Sequence, residues 1–220
     1  MISINVSDIS GIGNRLRILP SQIFPTVVAS SLNSSAYGSS VAEKQTIKSV
    51  FDRPTPYIQR SPRYLKATPS KLVATVYIPK GKAESTLLAE VEGGGRQAKK
   101  FEILMRYMGI LHGDMFVVPG KGAKLDQYGN ISRDQMTEIF NMLKGAKNAY
   151  FVSTRSGKTA HLARGVWLRT SRRGIVPAML FVSIVTYKAK FPFSQTALKF
   201  IVDNFGTIFN SKLDEKLLKK

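Results

Sequence analysis

The chain has no cysteine and only two histidines, and these absences exclude several kinds of site. Without cysteine there is no disulfide framework, no thiolate zinc site and no cysteine nucleophile. His112 and His161 are too few for a histidine-rich metal site. No apolar run reaches membrane-spanning length, and the N-terminus lacks the basic-then-apolar pattern of a signal peptide. We therefore expect a soluble protein made in a reducing cytoplasm, with no metal, no cofactor and no membrane partner.

Acidic residues are missing from two long stretches. Arg53 to Ala83 holds seven Lys/Arg and no acid, and Ile139 to Val202 holds eleven Lys/Arg and no acid. The segment between them, Glu84 to Glu138, is nearly neutral, with eight acids and seven bases. With a formal net charge of +19, this distribution favours a continuous electropositive face and a polyanionic partner. The alternative is a generally basic, solvated surface.

Length and composition are typical of a globular protein. The chain has 220 residues, of which 43% are hydrophobic and 21% charged, enough for one sizeable core or one core plus arms. We expect a single α+β domain over residues 1–220, with an extended N-terminal arm and helix, a protruding hairpin and a protruding loop.

Apolar periodicity predicts the helices. They are expected over Leu19–Val50, Gln97–Leu111, Ser132–Leu143 and Ser194–Leu218, with Ser132 and Ser194 as N-caps. Phe101, Leu104, Met105 and Met108 are predicted to face inward from the second helix, and Leu198, Ile201, Val202, Phe205, Phe209 and Leu213 from the last. Ala83–Val91 fits either a short helix or a strand.

Strand signals and prolines account for most of the remaining chain. Four prolines between Asp52 and Pro69 exclude a helix there, and an antiparallel hairpin is expected to turn near Ala67–Ser70. Gly113–Asn130 is predicted to be a loop. The other predicted strands are Tyr150–Ser153, Gly165–Thr170 and Ile175–Tyr187, the last two joined by a hairpin tip at residues 171–174. The predicted fold class is α+β, an antiparallel sheet with a long hairpin packed against two or three helices.

Three consecutive glycines form a corner between an apolar run and a cationic helix start. Glycine tolerates positive φ, so the backbone here can bend tightly or approach another surface closely. Opposite charges bracket the corner, which suits a contact between neighbouring subunits. The candidate interface residues are Glu90, Glu92, Gly93, Gly94, Gly95, Arg96, Lys99 and Lys100. The alternative is a strand-to-helix turn with ordinary surface charges.

Motifs that would indicate catalysis are incomplete. Ser156–Thr159 ends like a phosphate-binding loop, but Val152 stands where that loop needs a glycine. Asp126–Asn130 resembles half a calcium loop and lacks the later acidic ligands. No Ser/His/acid set and no glycosidase-like carboxylate pair is indicated by the local sequence. We therefore expect a protein that is not an enzyme.

The order of several segments resembles a family of tailed-bacteriophage virion proteins, minor tail protein Z and related tail-completion or neck proteins. The resemblance covers most of the chain. It rests on LNSSAY, VFDRPTPYIQRSPRYLKAT, LLAEVEGGGRQAKKFE, VPGKGAKLDQYGN, GVWLR and LFVSIVTYKAKFPF. The most specific markers are FDRPTP, the VEGGGR corner and the PGKGAKLDQYGN loop, and none of them is catalytic.

The resemblance implies a noncatalytic α+β subunit that forms a ring at the head–tail joint or the top of the tail. Its expected partners are other copies of itself, neighbouring portal, adaptor or tail proteins, and packaged DNA through weak nonspecific contact. Its expected location is the virion, after synthesis in the host cytoplasm. The cations expected to face DNA are Arg155, Lys158, Arg164, Arg169, Arg172 and Arg173.

A second hypothesis is a monomeric protein that binds nucleic acid without sequence preference. It predicts that the lysine and arginine side chains of the 155–173 region bind DNA in isolated monomers. Ring assembly predicts instead that the charged residues of the glycine corner contact those of a neighbouring copy.

Overall fold

The computed structural model describes residues 2–3, 23–146, 149–171, 174–183 and 186–218. Within them the elements follow one another in this order: β1 (Ile2–Ser3), α1 (Phe24–Val50), α2 (Pro56–Gln59), β2 (Arg63–Leu65), β3 (Thr75–Tyr77), α3 (Lys82–Glu92), β4 (Gly94–Gly95), α4 (Lys100–Tyr107), β5 (Phe116–Pro119), α5 (Arg133–Leu143), β6 (Tyr150–Ser153), a 3₁₀ turn (Gly157–Thr159), β7 (Gly165–Arg169), β8 (Ile175–Val182), β9 (Thr186–Tyr187) and α6 (Phe193–Leu218). The strands pair antiparallel, which confirms the predicted α+β class.

The chain divides into two compact units. The first unit comprises Met1–Glu92 and Ala189–Lys220, and the second comprises Gly93–Lys188. Among the described residues each unit has its own hydrophobic cluster, whereas the composition predicts one core. The expectation of a single domain over residues 1–220 stays a prediction.

The first unit packs two long helices with a three-stranded sheet. The strand order is β1-β3-β2, and β2 pairs with β3 from Arg63 opposite Tyr77 to Leu65 opposite Thr75. Backbone hydrogen bonds between Thr68 and Lys71 close the connecting turn, so the predicted hairpin near Ala67–Ser70 is confirmed. The hydrophobic cluster of this unit comes mainly from α1, α3, α6 and the hairpin, with Ile58 of α2 added.

Small residues of α1 allow α6 to approach it closely. A Cβ built on Gly38 would lie 2.2 Å from Cζ of Phe200 on α6. Serine residues on the same side of α1 are buried: Ser31, Ser35, Ser39 and Ser40. Glu43 is fully buried on this helix as well, and burial raises its pKa to about 8.

The second unit is built on a four-stranded sheet in the order β5-β8-β7-β6, together with α4 and α5. Its core includes Met105 of α4, Ile139 of α5 and Met179 of β8, all with no exposed surface. Ser132 caps α5, because its side chain accepts a hydrogen bond from the Gln135 N–H, as the sequence predicts.

Two elements contradict predictions made from the sequence. Pro56–Gln59 is a short helix inside the proline-rich segment that we expected to exclude one. Pro56 occupies the first helical turn, where its missing N–H costs nothing, and the Thr55 side chain caps the helix. Phe116–Pro119, inside the predicted loop, is an edge strand because it pairs with β8.

Inward-facing residues are predicted correctly in part. Ile201, Phe205, Phe209 and Leu213 of α6 are buried, whereas Leu198 and Val202 are exposed. On α4, Met105 is buried and Leu104 is exposed, and the second buried position is Glu102. A charged residue, Glu102, thus occupies a core position of α4.

Within the described ranges, every helix is too short or too polar to cross a lipid bilayer.

Candidate functional site

The glycine corner ends one helix and begins a short strand. Gly93 has a φ of +77° directly after α3, the left-handed conformation that commonly terminates helices. Gly94 has a φ of +93°, and with Gly95 it forms β4, which pairs with Thr186–Tyr187 of β9. Gly94 and Gly95 are exposed, and a Cβ added to either would meet no atom within 4 Å in the part of the chain that the structure describes. The turn predicted from the three glycines is therefore present.

The corner coincides with the division of the chain into units. Glu90 and Glu92 belong to the first unit, whereas Gly93 to Lys100 belong to the second. The eight candidate interface residues are thus contiguous in sequence but divided between two compact bodies. Their proposed role in a subunit interface stays a prediction.

Glu90 is buried and paired within its own chain. Its side chain is 9% exposed, and its Oε2 lies 3.4 Å from Nζ of Lys190. The backbone N–H groups of Lys190 and Phe191 both donate to the Glu90 carbonyl oxygen at 2.9 Å. The Lys190 ammonium also lies 5.0 Å from the ring centroid of Phe51. Glu92, two residues further on, is exposed.

Arg96 forms a buried, bidentate ion pair with Glu102. Its Nη1 and Nη2 donate to the two carboxylate oxygens at 2.7 and 2.6 Å, and the side chains are only 8% and 0% exposed. Glu102 also accepts the backbone N–H of Lys99 at 2.6 Å and that of Val117 at 2.8 Å. One carboxylate therefore holds the glycine corner, the start of α4 and the edge strand β5 together.

The electrostatics of this pair follow from its hydrogen bonds. Burial by itself raises the pKa of Glu102, but the hydrogen bonds from Arg96 and from the Val117 and Lys99 backbones outweigh it and hold the pKa below its ordinary value. The Glu102 carboxylate in turn raises the pKa of the Arg96 guanidinium. The Arg96 guanidinium lies 4.9 Å from the centroid of the Phe116 ring. The charge of Arg96 is thus paired with a carboxylate of its own unit.

Lys99 and Lys100 provide the exposed positive charge at the corner. Both residues are exposed, Lys99 as the N-cap of α4 and Lys100 as its first residue. Together with exposed Gly94 and Gly95, they form what we call the corner surface: Gly94, Gly95, Lys99 and Lys100. Its cations and its open backbone are accessible to another molecule.

Four of the six predicted DNA-facing cations lie on the exposed surface of the second unit. Arg155 has a φ of +62° and Lys158 lies in the 3₁₀ turn, while Arg164 directly precedes β7. Arg169 ends β7, and its guanidinium lies 4.3 Å from the centroid of the Phe151 ring. Arg172 and Arg173 lie outside the described residues. The structure thus presents exposed cations in this region, and their contact with DNA stays a prediction.

The PGKGAKLDQYGN segment is held by a buried glutamine that the sequence analysis did not identify. Gln135 of α5 is fully buried, and its side chain bonds the Lys124 N–H, the Gly122 carbonyl and the Tyr150 hydroxyl. Gly120 packs directly on β8, where an added Cβ would lie 2.2 Å from the carbonyl oxygen of Pro177. The spacing of Ser132 and Gln135 is that of a capping box, which predicts a bond from Gln135 back to the Ser132 N–H; that N–H instead donates to the Lys124 carbonyl, so no local signal indicates the role of Gln135.

Motifs rejected from the sequence have ordinary structural roles. Asp126 accepts the backbone N–H groups of Tyr128 and Asn130, both at 2.9 Å, and so closes a turn. Gly157–Thr159 is an exposed turn whose Thr159 carbonyl accepts the Ser153 hydroxyl. In the part of the chain that the structure describes, no three metal-ligating side chains come together.

No family model, curated protein sequence or solved structure matches this chain.

Proposed function

We propose that the chain is a noncatalytic structural subunit of a tailed bacteriophage that forms a ring at the head–tail joint or the top of the tail. The proposal rests first on the resemblance of its segments to minor tail protein Z and related tail-completion proteins. Its location would be the virion, and its partners other copies of itself and neighbouring portal, adaptor or tail proteins. Packaged DNA would meet its cations weakly and without base readout.

The observation that best supports this proposal is that the residues of the three marker segments form turns, caps and ion pairs of the fold. The FDRPTP marker contains an Asp52–Arg53 ion pair, a φ of +46° at Arg53 and the Thr55 cap. The corner and the loop marker are built around Glu102 and Gln135. Markers that shape surfaces and turns, rather than hold reactive groups, suit a protein that works by assembly.

The corner surface offers a clean test of the ring. Gly95 lacks the positive φ of Gly94 and is exposed, and a Cβ added there would meet no atom of the described residues within 4 Å. Gly95→Val should leave the folding of the chain unchanged, so any loss of self-association must come from a neighbouring copy. Gly94→Val is a poorer test, since its φ of +93° would strain any side chain.

We expect Gly95→Val to melt like the wild type but to shift the protein toward smaller species in analytical ultracentrifugation. Gly113→Val is the matched control, because Gly113 is in the same unit and its Cβ would also meet nothing within 4 Å. If the wild type forms a ring and Gly95→Val forms the same ring, the corner surface is not part of the interface.

The second candidate function is nonspecific nucleic-acid binding by the monomer. It is favoured by the exposed cations Arg155, Lys158, Arg164 and Arg169, which lie in a stretch of sequence that has no carboxylate. It predicts that Arg155→Glu with Lys158→Glu abolishes duplex binding, with no effect of Gly95→Val.

A further inference from the structure

The first unit contains an open groove of about 450 Å³ between α1 and the hairpin. The helix side is lined by small polar residues that include Ser30 and Ser34, and the hairpin side by Tyr64 and Lys66. Asn33 fixes the two sides to each other, since its Nδ2 donates to the Ala67 carbonyl at 3.0 Å and its Oδ1 accepts the Ala67 N–H at 2.7 Å. These two hydrogen bonds therefore fix the position of the hairpin side of the groove relative to the helix side.

Two tyrosines stand at the groove with their rings in contact. The Tyr37 and Tyr64 centroids are 6.0 Å apart with an interplanar angle of 70°, an edge-to-face pair. Tyr64 also packs against the core, which fixes it, whereas Tyr37 is 57% exposed. Tyr37 is thus in contact with a fixed ring and still more than half exposed, so its accessible ring surface can stack with a planar group.

The charge along the groove is of one sign. Lys66 lines it, and Arg63 and Lys71 are exposed on the same hairpin. None of the lining residues is acidic, and the sequence has no acid between Arg53 and Ala83. The nearest acids in sequence are Glu43, which is buried, and Asp52, which pairs with Arg53. The groove therefore suits an anionic chain.

We propose that this groove, here called the Tyr37 groove, binds single-stranded nucleic acid, with a base stacked on Tyr37 and a phosphate near Lys66. An acidic peptide would be bound through cations alone, and the groove offers it a single lysine. Exposed rings add sequence-tolerant stacking, which a duplex cannot use because its base faces are covered. The inference does not rest on ring assembly or on the cations of the second unit.

The test is fluorescence anisotropy of the full chain with a labelled twelve-nucleotide oligothymidylate. Wild-type protein should bind it, more weakly as salt rises. Tyr37→Ala should weaken binding at least about fivefold, the lower end expected for one stacked base. Lys66→Glu should weaken it as well. Tyr37 is exposed on a helix, so the alanine variant should fold, and a thermal melt checks this.

Matched controls lie in the second unit. Tyr107→Ala removes a tyrosine that is 90% exposed, and Lys144→Glu reverses an exposed lysine. Both should bind the oligonucleotide like the wild type. Polyglutamate and a twelve-base-pair duplex serve as competitors and should displace it poorly.

The proposal is overturned by absence of oligothymidylate binding, by equal binding of Tyr37→Ala and the wild type, or by equal losses in Tyr37→Ala and Tyr107→Ala. Displacement by polyglutamate as effective as by unlabelled oligothymidylate would assign the groove to acidic peptides instead. Because each readout is binding, a negative result leaves the proposed ring assembly untouched.

Discussion

Arg96 and Glu102 join the glycine corner to the start of α4 through two hydrogen bonds of 2.7 and 2.6 Å, in surroundings almost closed to water. A pair this deeply buried depends on both partners, because removing one leaves the other charged and without compensation. The Arg96–Glu102 ion pair thus makes the glycine corner a structural part of the second unit.

Replacing Arg96 tests this role. Arg96→Ala should lower the free energy of unfolding by about 3–5 kcal/mol, because the Glu102 carboxylate then stays buried without its cation. Denaturant unfolding measures the loss. Lys100→Ala, at an exposed cation four residues after Arg96, should change the stability by less than about 0.5 kcal/mol. Equal effects of the two substitutions would show that the ion pair does not hold the corner.

Glu43 makes stability depend on pH in the alkaline direction. Its pKa of about 8 in the folded chain exceeds the ordinary value of 4.5, so the folded chain holds the proton more tightly than the unfolded chain. The free energy of unfolding contributed by this group is then fully present below about pH 4.5 and falls by about 1.4 kcal/mol per pH unit up to about pH 8. No cation lies within ion-pair distance of it among the described residues.

The comparison of Glu43→Gln with the wild type isolates that dependence. The amide does not ionise, so this variant should lose less stability between pH 5 and pH 8 than the wild type, on the order of a few kcal/mol less. Glu92→Gln, at an exposed carboxylate, should follow the wild-type curve. Parallel curves for Glu43→Gln and the wild type would mean that Glu43 is ionised in the folded protein.

Gly165 is required where β7 pairs with β8. A Cβ at this position would lie 2.1 Å from the backbone carbonyl oxygen of Met179, which cannot move without breaking the strand pairing. Gly165→Ala should therefore destabilise the second unit by about 2 kcal/mol or more, measured by denaturant unfolding. Gly113→Ala, where an added Cβ meets nothing within 4 Å, should be close to neutral. Similar values for the two variants would contradict the close approach.

Local signals predicted many elements of this fold. The Ser132 cap, the Tyr150–Ser153 strand and the hairpin near residues 67–70 follow from short-range chemistry, and the structure has all three. The helix at Pro56 and the strand at Phe116 were missed for different reasons. The first depends on where in a helix a proline stands, and the second on pairing with a strand about 60 residues further along.

The site was less predictable because charge does not reveal burial. Glu102 lies in an amphipathic helix among charged neighbours, and the sequence predicts a subunit contact for its partner Arg96. Glu90 likewise pairs with Lys190, one hundred residues away in sequence, which no local pattern indicates. The three glycines predict the turn correctly, because positive φ is a local property of the backbone. A contact with a neighbouring subunit is not a local property, so the glycines do not indicate one.

The mass of the purified protein in solution, at low and high salt and with and without short duplex DNA, tests the central claim most directly. A ring subunit predicts a discrete oligomer that persists at high salt, since its contacts do not depend on DNA. A monomer that gains mass only with duplex DNA, and loses it in high salt, would contradict the ring and favour nonspecific nucleic-acid binding.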